Sequence, residues 1–257
     1  MADARRPGLP APSSVVTETT LVPQHRARLR GAPSPGIPAT YRILRTNEVD
    51  PKDAPVPRAA VTPFVAPAVP PGDNFAGTAR KAAKLSIAPA NAETFVDLQG
   101  LLKTLPTKSA MKKHKPKITT EANSGRVVEE NRNVRLLLFL YAASREDDND
   151  YHLIFGRDPD STPHVYMTAE VSGLPPKSRS SFTALKKTRD AFKAFFGSHL
   201  PGSSYDFYDP PIPVEVEGSL FFDMSHATGQ GPGPKSLRKD IPTIWEIHPV
   251  SSIQFEP

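Results

Sequence analysis

From Val134 to Tyr141 (VRLLLFLY) apolar residues run almost without a break, the pattern of a strand buried on both faces. A charged turn, Ser144 to Asp150, separates it from Tyr151–Phe155, where Tyr151, Leu153 and Phe155 alternate onto one side. A second turn over 156–162 leads to His164–Val171, with Val165, Met167, Ala169 and Val171 facing one way. After Gly173-Leu-Pro-Pro176 the period changes. Phe182, Leu185, Phe192 and Phe196 share one face of a helix expected over 178–198. A proline-rich loop, Pro210–Pro213, precedes Val214–Asp223, in which Val214, Val216, Leu220 and Phe222 point in and Gly218 signals a bulge. The last strand, Thr243–Phe255, is expected to break at Pro249. Three strands, a helix and two strands in that order predict a mainly β fold, a five-stranded OB-like barrel over 125–257.

The preceding chain has a different texture. Fourteen of the 30 prolines fall within residues 1–71, with only Tyr41 and Phe64 as aromatics there. Such a segment buries too little apolar surface to offset its ordering entropy, so 1–75 is expected to be a disordered arm with polyproline-II character around 63–71. Tyr41–Asp50 is its one interruption, read as a strand or a docking peptide. Residues 76–124 read as a basic linker with one short helix, because Phe95, Leu98, Leu101 and Leu102 recur at helical spacing.

Charge divides at the same place. Residues 1–119 hold 18 Lys/Arg against 8 Asp/Glu and residues 120–257 hold 14 against 19, which together make the chain's 32 and 27. Only the arm is suited to polyanions, and the domain itself is acidic. Cysteine is absent, which removes disulfides and thiolate metal sites. No apolar run follows Arg5 and Arg6, and none reaches membrane-spanning length, so no signal peptide or membrane association is expected and cytoplasm is the expected compartment.

Candidate chemistry gathers in three segments. In Asp148–Leu153, Asp150 and His152 are positioned to hold a cation or a phosphate; the plainer reading is a polar turn with His152 on the outward face. In Phe221–His226, Asp223 and His226 sit where a strand ends, and the plainer reading has Asp223 accepting local backbone N–H groups. In Thr243–Pro249, Glu246 and His248 are two apart and share a face opposite Trp245 and Ile247; the plainer reading leaves Trp245 in the core and Pro249 ending the ladder. A carboxylate–histidine patch of Asp223, His226, Glu246 and His248 is the candidate site for a divalent metal, with Asp150, His152 and Glu170 as further contributors. His226, His248, Glu246 and Lys235 are the catalytic candidates. Binding candidates add Tyr151 and the basic tract Lys112, Lys113 and Lys115, which equally reads as a solvated linker.

The segments DYHL (150–153), VEVEGSLFFDMSH (214–226) and TIWEIHPV (243–250) resemble the markers of an uncharacterised bacterial family of small single-domain proteins. In that family a Gly-Lys-containing loop precedes a Trp-Glu-Leu-His-Pro segment; here the loop reads GPGPKSLRKD, with Lys235 at the matching place. The resemblance covers about residues 126–257. It implies the domain boundary and a joint importance of these residues, and no reaction.

Three functions are compatible with these patterns. The leading expectation is a non-enzymatic binding module, an OB-like barrel that presents its face to an extended ligand, an oligonucleotide or a peptide, with a basic arm adding affinity for nucleic acid and Tyr141, Tyr151 and Tyr166, if exposed, serving as stacking platforms. The second is a metal-dependent phosphodiesterase or nuclease, which accounts for the acidic domain and needs the Asp, Glu and His side chains to converge. The third is a scaffold that recruits protein partners through its proline-rich arm.

Overall fold

The computed structural model describes residues 8–23, 37–51 and 71–257. Strand β1 (Val15–Leu21) and β2 (Tyr41–Thr46) form an antiparallel pair. Short helix α1 (Lys81–Lys84), β3 (Ala92–Phe95), α2 (Leu98–Leu102) and α3 (Lys108–Lys112) follow. Then come β4 (Asn133–Arg145), β5 (Tyr151–Gly156), β6 (Tyr166–Val171), the long helix α4 (Phe182–Phe196), β7 (Asp206–Phe222), short α5 (Lys235–Arg238) and β8 (Trp245–Phe255). All eight strands belong to one mixed sheet in the order β1-β2-β7-β8-β6-β5-β4-β3, and β7 also pairs with β4. The sheet is therefore partly ringed. Its weakest seam is the parallel β6–β8 contact, which joins only Thr168 to Glu246 and Ala169 to Ile247.

Alternation decides what the ring encloses. Leu153, Phe155, Met167, Ala169, Val171, Val214, Val216, Leu220, Trp245 and Ile247 all lie in one buried core, as their period of two requires. Helix α4 packs Phe192, Phe195 and Phe196 against it, with Phe195 stacked on Phe255 at 4.0 Å. At Gly218 the register with β8 shifts, and a Cβ there would lie 2.5 Å from the Pro249 carbonyl oxygen. The bulge that glycine signals is present.

Five expectations need correction. Residues 15–21 are not a disordered arm: Leu21 enters the core and β1 pairs with β2, which is the strand alternative expected at Tyr41–Asp50 and itself pairs with β7 over 206–209. The polyproline-II stretch expected around 63–71 lies, up to residue 70, outside the described residues. The linker assigned to 76–124 is packed structure. Arg80 forms a buried two-pronged ion pair with Glu130 at 2.7 and 2.8 Å, and Leu98, Leu101 and Met111 are core residues. Pro210–Pro213 is strand, since β7 runs unbroken from Asp206, and β8 continues through Pro249. Strand β4 is continuously buried on both faces only from Leu140 to Ser144; ahead of that stretch one face opens, with Leu137 62% exposed beside exposed Arg135. Among the described residues no helix is long and apolar enough to cross a membrane.

Candidate metal centre

The plainer reading of Asp148–Leu153 sets His152 on an outward face, the face of β5 and β6 opposite the core. That face is covered. His152, Ile154, Thr168 and Glu170 are all buried, because three segments from elsewhere in the chain fold across them. The first follows β2 and ends in Asp50, whose Oδ2 accepts from the Gly233 N–H at 2.7 Å. The second holds Phe75 to α1, tied down where the Phe75 and Ala76 N–H groups donate to Leu174 and Asp148 carbonyls. The third is the turn after β7, residues 224–226, onto whose carbonyl at His226 Lys108 donates at 3.1 Å.

Under this cover the polar side chains converge. His248 directs Nδ1 at Glu246 Oε1 (3.0 Å) and Glu170 Oε2 (2.9 Å), while its Nε2 faces Asp150 Oδ2 at 3.5 Å. Neither that nitrogen nor that oxygen makes a hydrogen bond, although both residues are fully buried. Asp150 is fixed by its other oxygen, which accepts from the Gly173 N–H at 2.6 Å. Oxygens of Asp150 and Glu170 and a nitrogen of His248 lie within 4.8 Å of one another. Asp148 continues the cluster through Glu146 and Glu170, again within 4.8 Å, and Lys84 Nζ stands 3.0 Å from Asp148 Oδ2 and 3.6 Å from Glu170 Oε2. Asp50, Glu146 and His152 form a third such group. His226 Nε2 lies between Asp50 Oδ1 (3.3 Å) and Asp223 Oδ2 (3.5 Å).

Electrostatics differ sharply from one group to the next. Burial, reinforced by the negative charges of Asp148 and Glu170 and opposed by Lys84, pushes the Asp150 carboxyl well above the usual range. Burial lowers His152, but Glu146, whose Oε1 is 2.5 Å from Nδ1, outweighs it and the imidazole rises to about 10. For His248 the order reverses: burial, with Lys84, outweighs Glu170 and favours the neutral ring. A neutral imidazole that donates Nδ1–H to Glu246 presents the lone pair of Nε2 to Asp150. That is how metal-bound histidines are usually held. Ligands about 2.0–2.1 Å from a tetrahedral ion are ~3.4 Å apart, close to the separation between Nε2 and Oδ2 here. Two carboxylates and an imidazole suit Mn²⁺ or Zn²⁺.

Two clefts reach this cluster and meet at Ser225. One, of about 390 Å³, is lined by Val49, Ser225, His226, Gly229, Gln230 and Arg238; the other, of about 350 Å³, includes Gly77, Lys84, Asp147, Asp148 and Ser225.

Of the sequence candidates, Asp150, His152, Glu170, Asp223, His226, Glu246 and His248 all lie in this connected cluster. Asp223 also behaves as the plainer reading expects, accepting from the Ser225 N–H at 2.9 Å. Lys235 is exposed on α5. Tyr151 is a core residue, stacked on Phe192 at 4.6 Å with the Arg189 guanidinium 4.5 Å from its ring. Tyr141 and Tyr166 are buried against each other, so none of the three tyrosines is a stacking platform. Lys112, Lys113 and Lys115 are exposed, and Lys112 reaches the Ala227 carbonyl, beside His226, at 3.4 Å. Sequence reasoning missed Asp50, Glu146, Asp148 and Lys84. The acidic run Glu146–Asp148 just ahead of Asp150 was a usable signal; Asp50 and Lys84 offered none. No family model, curated protein or solved structure matches the chain.

Proposed function

We propose that this chain is a divalent-metal-dependent hydrolase of phosphate esters, a phosphodiesterase built on an OB-like barrel. The observation that carries the proposal is the pair Asp150 Oδ2 and His248 Nε2, fully buried, 3.5 Å apart and without hydrogen bonds, beside Glu170. Asp150 Oδ2 has the Lys84 ammonium at 3.8 Å as its charged partner, and an ion between Oδ2 and Nε2 would give both atoms a ligand bond in place of the missing hydrogen bonds.

The fold supports the location. The ring β4-β5-β6-β8-β7 has the pairing order of an OB barrel, with α4 between its third and fourth strands. OB barrels take ligands on the face of their second and third strands, between the loops after the first and fourth. Here those are β5 and β6, the turn bearing Glu146 to Asp150, and the stretch from Asp223 to Arg238. The phosphate assignment rests on the clefts, where Arg238 and Lys84 supply positive charge on either side of Ser225.

A divalent ion, which Asp150, Glu170 and His248 would hold, would supply activation of the water that attacks phosphorus; as the new P–O bond forms, the P–O bond to the departing alcohol breaks. His226, on the floor of the larger cleft, delivers a proton to that alcohol. Asp148, at the mouth of the other cleft, takes up the proton from water. Arg126 positions the centre: its guanidinium donates to the Ala83, Ser86 and His248 carbonyls, joining the segment of Lys84 to the strand of His248.

The test is hydrolysis of bis(p-nitrophenyl) phosphate by the full chain, stripped with chelator and resupplied with Mn²⁺, Zn²⁺ or Mg²⁺. Activity should return with at least one ion. Asp150→Asn and His248→Gln should each lose at least ~100-fold, and the supporting change Glu246→Gln about 10–100-fold. Wild-type chain inactive with all three ions, or equally active in chelator, would refute the proposal. A second reading, polyanion binding, is favoured by the exposure of Lys112, Lys113, Lys115 and Lys117. It predicts a mobility shift of oligonucleotide that weakens steeply with salt and is lost when these lysines are neutralised.

A further inference from the structure

We infer that the cluster takes a second divalent cation, held by Asp50, Glu146 and His152, so that the centre is binuclear. The inference deepens the proposed function and rests on it. Ligand atoms of these three residues lie within 4.8 Å of one another, and none of the three residues is more than 3% exposed. Burial of that degree excludes water as the ordinary partner of the imidazole. Yet His152 Nε2 makes no hydrogen bond. Its contacts match those of His248, since Nδ1 meets a carboxylate, Glu146 Oε1 at 2.5 Å, as His248 Nδ1 meets Glu246 Oε1 at 3.0 Å; an ion at Nε2 would displace the second proton that Glu146 favours on the His152 ring. Two imidazoles on one sheet face, each with Nδ1 against a carboxylate and Nε2 buried without a hydrogen bond, form a repeated device.

The third group, Glu146, Asp148 and Glu170, has ligand atoms within the same 4.8 Å and shares Glu146 with the second site and Glu170 with the first. A carboxylate link of that kind is what holds paired ions about 3.5–4 Å apart in two-metal phosphoryl-transfer centres, where one ion serves the attacking oxygen and the other the leaving oxygen. Asp50 is well prepared for the role. Its Oδ2 is anchored by the Gly233 N–H at 2.7 Å and the Tyr205 hydroxyl at 3.3 Å, while Oδ1 turns toward His226. Through Asp50 the segment after β2 becomes part of the centre, and the second ion sits on the side of the cleft that carries Arg238.

The experiment uses full-length protein stripped with chelator and titrated with Mn²⁺ alone, read by calorimetry and by electron paramagnetic resonance. Two Mn²⁺ per chain with an exchange-coupled spectrum are expected. Asp50→Asn and His152→Gln should each reduce the count to one and abolish the coupling, and so should Asp150→Asn at the other site. The wild-type count needs no variant to fold. One Mn²⁺ per chain in wild type, abolished by Asp150→Asn and indifferent to Asp50→Asn, would overturn the inference and leave the proposed function standing. Two ions that neither Asp50→Asn nor His152→Gln disturbs would also overturn it. No bound Mn²⁺ at all would remove both.

Discussion

Asn149 occupies the left-handed region at φ +78° with its side chain fully buried, and both facts bear on the acidic turn it belongs to. Asparagine tolerates that backbone better than most residues, which lets the chain reverse between Asp148 and Asp150 while both carboxylates stay within the carboxylate–histidine cluster. Its amide then fastens the turn. Nδ2 donates to the Asn74 carbonyl at 2.7 Å and the Gly72 carbonyl at 3.1 Å, and Oδ1 accepts from Arg145 Nε at 2.8 Å and Arg189 Nη2 at 3.3 Å. Asn149→Ala should therefore lose about 2–4 kcal/mol in urea unfolding, since it combines backbone strain with buried groups left unsatisfied. Asn149→Gly removes the strain and should still lose about 1–3 kcal/mol. A glycine variant as stable as wild type would mean that the amide hydrogen bonds contribute nothing. None of this is visible in the run Ser-Arg-Glu-Asp-Asp-Asn-Asp, where Asn149 looks like any turn residue. The partners at Gly72, Asn74 and Arg189 are set by tertiary folding alone.

Helix α4 shows how an element that sequence predicts well is held by contacts it does not reveal. Its apolar period gives the buried face, but its orientation depends on Arg189 and Lys193, which donate to Asp73 at 2.9 and 2.8 Å. Partial burial alone would raise the Asp73 carboxyl, and the hydrogen bonds from Lys193 and Arg189 outweigh it and hold the group below its usual value. A carboxyl depressed in the folded state stabilises fully above its unfolded pKa of about 3.9, and that stabilisation disappears as pH falls through the folded value. Urea midpoints of wild type and Asp73→Asn should thus differ at pH 5, wild type being the more stable, and approach each other by pH 2.5. A constant gap would place the role of Asp73 in something other than its charge. The same division between local and distant information runs through the whole sheet. Strands β4 to β8 are legible because one buried face imposes alternation, and Glu246 with His248 is legible because residues two apart share a face. Strands β1 and β3 are not. Val-Val-Thr-Glu-Thr-Thr-Leu and Ala-Glu-Thr-Phe carry little apolar surface, and each becomes a strand only by pairing with a neighbour distant in sequence. Strand β2 stands out from the prolines around it through Tyr41, Ile43 and Leu44, whereas its pairing with β7 does not show in the sequence.

For the molecule as a whole, the centre joins segments from nearly the full length of the described chain, from Asp50 to His248, so ion binding and global stability are linked. Ion-free protein carries a cost at Asp150. With the carboxyl pushed well above its usual range by burial and by Asp148 and Glu170, folding at neutral pH must bury a charge or take up a proton. Asparagine is nearly isosteric and keeps the oxygen that accepts from Gly173, so Asp150→Asn removes the cost and little else. In chelator the variant should be more stable than wild type, by about 1–3 kcal/mol, as when other buried charges are neutralised. Adding Mn²⁺ should reverse the order. An ion present at 100 times its dissociation constant stabilises by about 2.7 kcal/mol, a rise of roughly 5–10 °C in Tm for a chain of this size; the wild type gains this at the Asp150 site and the variant does not, keeping only the gain from the ion held by Asp50, Glu146 and His152. Thermal melts of both proteins with chelator and with Mn²⁺ give four curves, and the prediction is that their ranking crosses. A merely structural role for Asp150 would make the variant the less stable one in chelator. A site elsewhere would raise both proteins alike. Only a ligand whose charge is costly without its ion produces opposite signs in the two conditions.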